Sequence, residues 1–382
     1  MRLLIMPATL LAFLAVVLAV PASAAQGEGS RQTFIVVLKD SVERASPVAA
    51  EHSQRFGADV QHVYEHALKG YAASVAEGSL GALLADHRVA SIERDAEVTA
   101  TQSGATWGLD RIDQRSSSLS GTFTYTKTGS GVKAYIIDTG IRFDHSQFGG
   151  RAESGFDAVD GGTADDCNGH GTHVAGTVGG MTYGVAKGVT LVAVRVLSCS
   201  GSGTTSGVIA GVDWVTGNHL AGQSAVANMS LGGGASSSLD TAVRNSIADG
   251  VSYAIAAGNG NIVGRHEDAC KKSPARVTEA MTISATDQTD KKASWANYGN
   301  CVDWFAPGVG ITSAWYTSST DTNTISGTSM ATPHTAGVAA LYLQSNPGAS
   351  PATVRDALYA NTTNGIVTSS RTTNNHLLFT DY

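Results

Sequence analysis

Apolar positions in the first quarter of the chain follow the spacing of strands and short helices. The pattern predicts a strand at TFIVVLKD, a helix at VAAEHSQRFG that Gly57 ends, and two strands joined near Lys69-Gly70. A helix at GSLGALLADH and a last strand in RVASIERDAEVTA follow. This order of strand, helix, strand, strand, helix, strand predicts a small ferredoxin-like α+β unit.

From about residue 105 onward, short apolar strands alternate with helical patterns. The strands are GVKAYIIDTG, VTLVAVRVL, SAVANMSLG, VSYAIAAGN and AMTISATD, and the helical patterns include TTSGVIAGVDWVTGNHL, SSLDTAVRNSIADG and TSMATPHTAGVAALYLQSN. This alternation predicts an α/β fold with a doubly wound, mainly parallel sheet. Ligands bind such sheets beyond the carboxyl ends of the strands, so polar residues directly after strands are the candidates for function.

The first 25 residues predict a secretory signal peptide. Arg2 gives a positive start, residues 3–20 are nearly all apolar, and Ala22-Ser23-Ala24 is a small-residue cleavage site. The alternative is an uncleaved membrane anchor, which the shortness of the apolar run disfavours. We therefore expect a secreted, extracellular protein with no stable membrane association. The expected domains are a signal peptide at 1–25, a pro-domain at 26–99 and a catalytic domain at 100–382.

Charge and cysteine content limit the possible binding partners and the possible roles of the cysteines. Lys and Arg number 25 against 32 Asp and Glu, and the basic residues are scattered, so no nucleic-acid partner is expected. Four cysteines in a secreted chain predict disulfides, for which three pairings are possible. We favour Cys167–Cys199 and Cys270–Cys301. A zinc site is the alternative, although the paired spacing of structural zinc ligands is absent.

Three polar residues follow strands or begin helices in the second region. Asp138 ends the strand YIID, His170 begins HGTHVAG, and Ser329 lies at the start of TSMATPH. Taken singly, each has a simpler interpretation: a turn-capping carboxylate, a packed histidine and a helix N-cap. Together they supply a nucleophile, a base and a carboxylate that orients the base. Pro333 removes one hydrogen bond near the start of the helix that contains Ser329, which predicts an unusual beginning for that helix.

The order of these residues and the motifs around them match a known family. The stretches IIDTGIR, DCNGHGTHVAGTVGG, VANMSLGGG, AAGN and GTSMATPH occur in order. The sequence thus resembles the subtilisin-like serine proteases, in particular the aqualysin-like members of their proteinase K branch. The resemblance implies that Ser329 is the nucleophile, His170 the general base and acid, and Asp138 the orienting carboxylate. His173 is then buried and structural, and it is no partner of His170 in a metal site.

The same resemblance implies further site residues and a substrate class. The Asn259 side chain, with the backbone N–H of Ser329, would form the oxyanion hole. Protein and peptide substrates would lie as an extended strand between Gly201-Ser202-Gly203 and Ser230-Leu231-Gly232, beside a specificity pocket walled by Ala256, Ala257 and Gly258. These small residues predict a wide pocket that favours apolar or aromatic residues on the acyl side of the cut. Taken singly, the asparagine and the glycines would be ordinary turn residues.

Structural Ca²⁺ is the expected cofactor, because relatives of this type bind it. One implied site consists of Asp110, Asp113, Gln114, Ser120 and Thr122, and a second of Asp303 with the backbone carbonyls of Thr278 and Ala280. Surface ion pairing of Arg111 with Asp113 is the alternative for the first site. We expect calcium to stabilise the fold and to take no part in the chemistry.

The segment before residue 100 resembles the inhibitory pro-domains of these proteases. It is expected to act as an intramolecular chaperone and inhibitor and to be removed by self-processing close to Thr99–Ala100. The alternative is that it stays attached as a binding domain. The mature enzyme is expected to be a monomer.

Two alternatives to a protease belong to other function classes. One is a catalytically dead binding protein with the same fold, which the presence of all four catalytic positions disfavours. The other is an esterase or lipase, and the α/β-hydrolase version is disfavoured because the chain has no G-x-S-x-G elbow.

Overall fold

The structure is a computed structural model that describes residues 31–65, 69–95, 100–261 and 265–382. The chain divides into two compact units, Met1–Glu97 and Val98–Tyr382. The predicted signal peptide and Thr99 of the predicted cleavage position lie outside the described residues.

The first unit is a four-stranded antiparallel sheet with two helices in the predicted order. Its elements are β1 (Arg31–Leu38), α1 (Ala45–Phe56), β2 (Asp59–Tyr64), β3 (Gly70–Ala76), α2 (Leu80–Leu84) and β4 (Val89–Arg94). The strand order is β2-β3-β1-β4, as a ferredoxin-like unit requires. Gly57 adopts a left-handed conformation with φ of 66° and ends α1, as predicted.

The second unit contains the remaining strands and helices. These are β5 (Ala100–Ser103), α3 (Trp107–Ile112), β6 (Thr122–Tyr125), β7 (Lys133–Asp138), β8 (Ala152–Asp157), α4 (His170–Gly179), β9 (Thr190–Arg195), α5 (Thr205–Asn218), β10 (Ala225–Met229), α6 (Ser237–Asp249), β11 (Ser252–Ala256), β12 (Met281–Thr286), β13 (Trp304–Pro307), β14 (Ile311–Ala314), β15 (Thr322–Ile325), α7 (Thr328–Ser345), α8 (Pro351–Asn361), β16 (Thr363–Asn364) and β17 (His376–Leu377).

A nine-stranded sheet organises this unit. Its strand order is β16-β17-β13-β12-β11-β10-β7-β9-β8, and every neighbouring pair is parallel except β16 with β17. The predicted α/β class with a mainly parallel sheet is therefore confirmed. The strands β8 and β13 and the hairpin β14–β15 were not among the predicted strands.

Alternate side chains of β7 show how the sheet is covered on both faces. Ala134 and Ile136 pack into one core cluster with residues of α4, α7 and α8. Tyr135 and Ile137 pack into another with residues of α5 and α6. Side chains of a strand point to opposite faces in turn, so a strand with helices on both faces is apolar throughout. This explains the uninterrupted apolar run AYII.

The parallel arrangement places the carboxyl ends of β7, β9, β10 and β11 along the same edge of the sheet. The residues that follow these ends form the candidate site described below. Among the described residues, no helix is both long enough and apolar enough to cross a membrane.

Candidate active site

Asp138 is the last residue of β7 and is fully buried. Its Oδ1 lies 2.7 Å from Nδ1 of His170 and also accepts a 2.8 Å hydrogen bond from the backbone N–H of Thr139. A buried carboxylate is costly unless it is paired and hydrogen-bonded, and both partners are provided here. The structure thus brings together the first two candidate residues, which lie 32 positions apart.

Asp166 holds His170 in position and was not identified from the sequence. Its Oδ1 accepts hydrogen bonds from the backbone of Asn168 and Gly169, and its Oδ2 accepts from the backbone and hydroxyl of Thr172 at the start of α4. The Thr139 hydroxyl donates to the same carboxylate. One carboxylate therefore caps the helix that begins with His170 and ties it to the end of β7.

Close backbone approach explains the glycine after His170. A Cβ at Gly171 would lie 2.1 Å from the carbonyl oxygen of Gly140. The Gly171 N–H instead donates a 2.8 Å hydrogen bond to the Thr139 hydroxyl. A larger residue would push α4 away from β7 and lengthen the Asp138–His170 contact.

The two histidines of HGTH have different surroundings. Burial acts to lower the pKa of His170, but the adjacent Asp138 carboxylate outweighs it and the pKa is raised above its usual value. Burial lowers the pKa of His173 to about 4, and its Nε2 lies 3.0 Å from the carbonyl oxygen of Ile311. No carboxylate contacts His173 among the described hydrogen bonds and ion pairs. The packing of His173 matches the expected structural role.

Ser329 lies in the first turn of α7, whose helix begins at Thr328. Pro333 has no N–H to donate to the carbonyl four residues earlier, which is that of Ser329 itself. The Ser230 hydroxyl fills this vacancy with a 2.8 Å hydrogen bond. In return, the Ser329 hydroxyl donates a 3.0 Å hydrogen bond to the carbonyl of Ser230. The carbonyl freed by the proline thus fixes the serine against the segment that follows β10.

The Ser329 hydroxyl is directed at Ser230 in this structure, and no hydrogen bond between it and His170 is described. Hydrogen bonds of such sites are often long or misdirected until a substrate is bound. A change in one side-chain torsion redirects a serine hydroxyl, because the Oγ position depends on χ1 alone.

Asn259 follows β11 at the same edge of the sheet. Its Oδ1 accepts hydrogen bonds from the backbone N–H and the hydroxyl of Thr328, at 2.8 and 2.9 Å. Because these donors fix the amide oxygen against Thr328, the Nδ2 group of the same amide points away from Thr328. The side chain is exposed, and it lines the same cavity as Ser329. This arrangement presents an N–H donor beside the serine, as an oxyanion hole requires.

Two cavities flank the serine and share the segment Ser230–Gly234. The first, of about 450 Å³, is lined by His170, Gly201-Ser202-Gly203 and the shared segment. The second, of about 360 Å³, is lined by Ala256-Ala257-Gly258, Asn259, Ser329 and the shared segment. All the substrate-binding residues predicted from the sequence therefore lie along one groove.

The second cavity also includes residues that the sequence analysis did not single out, among them Asn297 and Lys272. Asn297 donates from its amide to the carbonyl of Ala257, and its Oδ1 accepts from the backbone of Gly260. It thus holds the turn on which Asn259 lies. Lys272 also lines this cavity, and the charged stretch CKKSPARV that contains it could have indicated it from the sequence.

Both predicted disulfides are confirmed, with Cα–Cα distances of 4.9 Å for Cys167–Cys199 and 5.3 Å for Cys270–Cys301. The first joins the loop before His170 to the loop before Gly201, and the Asn168 amide donates to the carbonyl of Cys199 beside it. The zinc alternative is therefore wrong.

The first predicted calcium cluster is gathered in one place. The Asp110 carboxylate accepts hydrogen bonds from the Gln114 amide and from Ser120, whose hydroxyl lies 2.7 Å from that of Thr122. The Oδ1 atom of Asp113 is buried with no partner among the described residues. Burial, with a smaller contribution from Asp110, raises the pKa of Asp113 to about 6. A buried carboxylate oxygen with no donor fits the role of a calcium ligand.

Arg111 does not pair with Asp113, so that alternative is wrong. The Arg111 guanidinium makes two hydrogen bonds to the Asp290 carboxylate, at 2.8 and 3.0 Å, in the buried core.

The second predicted calcium cluster already has a cationic partner. The Arg355 guanidinium donates to the carbonyl of Thr278 and lies 3.6 Å from the Asp303 carboxylate. Burial nevertheless raises the pKa of Asp303 to about 6. The Thr278 carbonyl and one Asp303 oxygen face this guanidinium, and the other Asp303 oxygen accepts a 2.8 Å hydrogen bond from the Thr282 N–H, so the cluster as it stands does not fit a calcium ion.

Comparisons with known proteins agree with this geometry. The sequence model of the Subtilase family matches residues 129–378, and that of Peptidase inhibitor I9 matches residues 33–101. The extracellular serine proteinase of Thermus sp. (strain Rt41A) is 60% identical over 330 residues, which are 85% of this chain and 79% of that protein. Alkaline serine exoprotease A of Vibrio alginolyticus is 51% identical over 359 residues, 92% of this chain and 64% of that protein. The crystal structure of a cold adapted subtilisin-like serine proteinase is similar with a TM-score of 0.69 and 55% identity, over 72% of this chain and 98% of that chain.

Proposed function

The chain belongs to the subtilase family of serine peptidases, and we propose that it is a secreted endopeptidase of broad specificity that works through Asp138, His170 and Ser329. The 2.7 Å contact between Asp138 and His170, at the edge of the sheet where Ser329 also lies, is the observation that carries this proposal. Asp138 orients the imidazole and stabilises its charged form, so that Nε2 is free to accept the proton of the serine.

Each half of the proposed reaction uses the same three groups. The Ser329 hydroxyl turns from Ser230 towards His170, and its Oγ attacks the peptide carbonyl carbon as the proton moves to Nε2. That proton then passes to the leaving amine as the C–N bond breaks, which leaves an acyl ester on Oγ. Water, deprotonated by His170, attacks this ester, and the proton passes from Nε2 to Ser329 Oγ as the C–O bond breaks, which releases the second product and restores the serine hydroxyl. Asn259 Nδ2 and the backbone N–H of Ser329 stabilise the oxyanion in both halves.

The groove supports an extended peptide substrate. Gly201-Ser202-Gly203 and Ser230-Leu231-Gly232 offer backbone hydrogen bonds on either side. The cavity of about 360 Å³ beside Ala256, Ala257 and Gly258 would take the side chain on the acyl side of the cut, with apolar and aromatic residues favoured.

The family match over residues 33–101 supports a pro-domain that assists folding and inhibits the enzyme until it is removed. We expect the cut close to Thr99–Ala100 and the mature enzyme to be a monomer. The extracellular serine proteinase among its relatives, with the leader-like first 25 residues, supports secretion.

Reaction with a fluorophosphonate tests the nucleophile and the processing together. We expect one adduct, on Ser329, in a secreted chain that begins near Ala100, and an uncut, unlabelled precursor for Ser329→Ala. Casein cleavage by the wild type separates a peptidase from an esterase. A folded, processed chain that forms no adduct would favour the binding-protein alternative.

Calcium is proposed to stabilise the fold at the cluster of Asp110 and Asp113. EDTA should lower the Tm of the fluorophosphonate-inactivated enzyme, because a buried carboxylate oxygen then loses its cation. Asp113→Asn should remove most of this EDTA response, whereas Asp303→Asn should leave it, since Arg355 already balances Asp303. An EDTA-insensitive melting curve for the wild type would withdraw calcium from the proposal.

A further inference from the structure

The cavity beside Ala256, Ala257 and Gly258 contains an unexpected charge. Its lining residues among those described are Ser230, Leu231, Gly232, Gly233, Gly234, Ala256, Ala257, Gly258, Asn259, Gly260, Lys272, Ala275, Asn297, Thr328 and Ser329. Lys272 alone in this set carries a charge. An apolar pocket for the acyl-side residue has no need of an ammonium group.

The backbone at Lys272 is held firmly. Its N–H donates to the carbonyl of Ala269, its own carbonyl accepts from the backbone of Arg276, and the disulfide of Cys270 lies two residues before it. These contacts fix the backbone from which the Lys272 side chain projects.

Within the described part of the chain, the ammonium group forms an ion pair with Glu267. Lys272 Nζ lies 2.6 Å from Glu267 Oε2, and the two side chains are 30% and 34% exposed. The backbone N–H of Glu267 donates to Oδ1 of Asn297, the residue that also holds Ala257. Glu267 itself does not line the cavity. The carboxylate is therefore not part of the cavity lining, and an ammonium group with one such partner has two further N–H donors.

We propose that Lys272 is a specificity determinant that admits substrates with Glu or Asp directly before the scissile bond, in addition to apolar and aromatic ones. An acidic side chain in this cavity would otherwise lose its hydration without compensation. Lys272 offers it a charge-assisted hydrogen bond, and Glu267 limits the gain because it competes for the same ammonium. A basic side chain would be disfavoured because it is repelled by the positive charge of Lys272. This inference rests on the proposed peptidase function.

The test uses four peptides that differ only at the residue before the cut: Phe, Gln, Glu or Lys. The readout is the ratio of kcat/KM for Glu to that for Gln, measured within each enzyme, since these side chains differ in charge and hardly in size. Lys272→Met should lower the ratio by about fivefold, the size of a half-exposed ion pair. Glu267→Gln should raise it, because the ammonium is then released to the substrate.

Lys271→Met is the matched control. Lys271 is the exposed neighbour and does not line the cavity, so the same loss of charge there should leave the ratio unchanged. If Lys271→Met and Lys272→Met change the ratio equally, the effect comes from long-range charge and not from the cavity, and the proposal is overturned. An unchanged ratio in Lys272→Met would overturn it as well. Failure of the wild type to cleave even the Phe peptide would instead count against the peptidase function.

Discussion

His170 and His173 lie one helical turn apart on α4, yet their surroundings shift their pKa values in opposite directions. At His170, the Asp138 carboxylate outweighs the effect of burial and raises the pKa. At His173, burial dominates and lowers the pKa to about 4. The residue type and the helix are the same, so the difference comes from nearby carboxylates: Asp138 at 2.7 Å, with a smaller contribution from Asp166.

The two histidines also differ in whether their side chains are accessible from the groove. The His170 side chain is 25% exposed and lines the cavity that contains Gly201-Ser202-Gly203, whereas His173 is fully buried. A general base needs both a route to its proton and a partner for the charge that it gains. His170 has both, and His173 is suited to hold the carbonyl of Ile311.

The largest expected effect comes from removing the exposed histidine. His170→Ala should lower kcat by about 10⁶-fold, as the loss of the corresponding residue does in subtilisin, because Ser329 then has no proton acceptor. The precursor should also remain uncut, which intact mass would detect. His173→Gln is the matched change one turn along and should still give a processed, active enzyme. A comparable loss of kcat in both variants would show that the two histidines do not differ in their importance for the reaction.

Removing the charge of Asp138 should give the next largest effect. Asp138→Asn should reduce kcat by about 10⁴-fold near neutral pH, because an amide cannot hold the imidazole in the required tautomer. The carboxylate keeps the His170 pKa above its usual value of 6.5, so the neutral, active form dominates only above that raised pKa. In the variant, the acidic limb of the kcat/KM profile should therefore move to lower pH. An unmoved limb would mean that Asp138 does not set the pKa of His170.

The proposed catalytic residues were candidates from the sequence because each one lies where a local pattern changes. Asp138 ends an apolar run and His170 begins a helix, and the resemblance to the subtilisin-like proteases implied their roles. Pro333 even indicated an unusual start for α7. That start has a specific form: the freed carbonyl is that of Ser329, and the hydroxyl of Ser230 satisfies it.

Some supporting contacts could not be predicted because they join side chains that are distant in sequence. The donors to Asp166 from Asn168, Gly169 and Thr172 are two to six positions away, but its hydrogen bond from the Thr139 hydroxyl spans 27 positions. Arg355 reaches the carbonyl of Thr278 across 77 positions, which changes how the Asp303 cluster should be interpreted. Such contacts depend on how helices pack on the sheet, and residue types alone do not encode them.

The smallest expected effect concerns the buried histidine, whose hydrogen bond should matter for stability and not for proton transfer. His173→Leu removes the donor to the carbonyl of Ile311, at 3.0 Å, and should cost about 1–3 kcal/mol of stability. His173→Gln, whose amide N–H can occupy the place of Nε2, should recover part of this loss. Both are measured as Tm on the fluorophosphonate-inactivated enzyme, where autolysis is prevented. Since His173 neither gains nor gives up a proton near neutral pH, neither change should move the pH profile of the active enzyme. A shifted profile would show instead that His173 influences the proton transfer through His170.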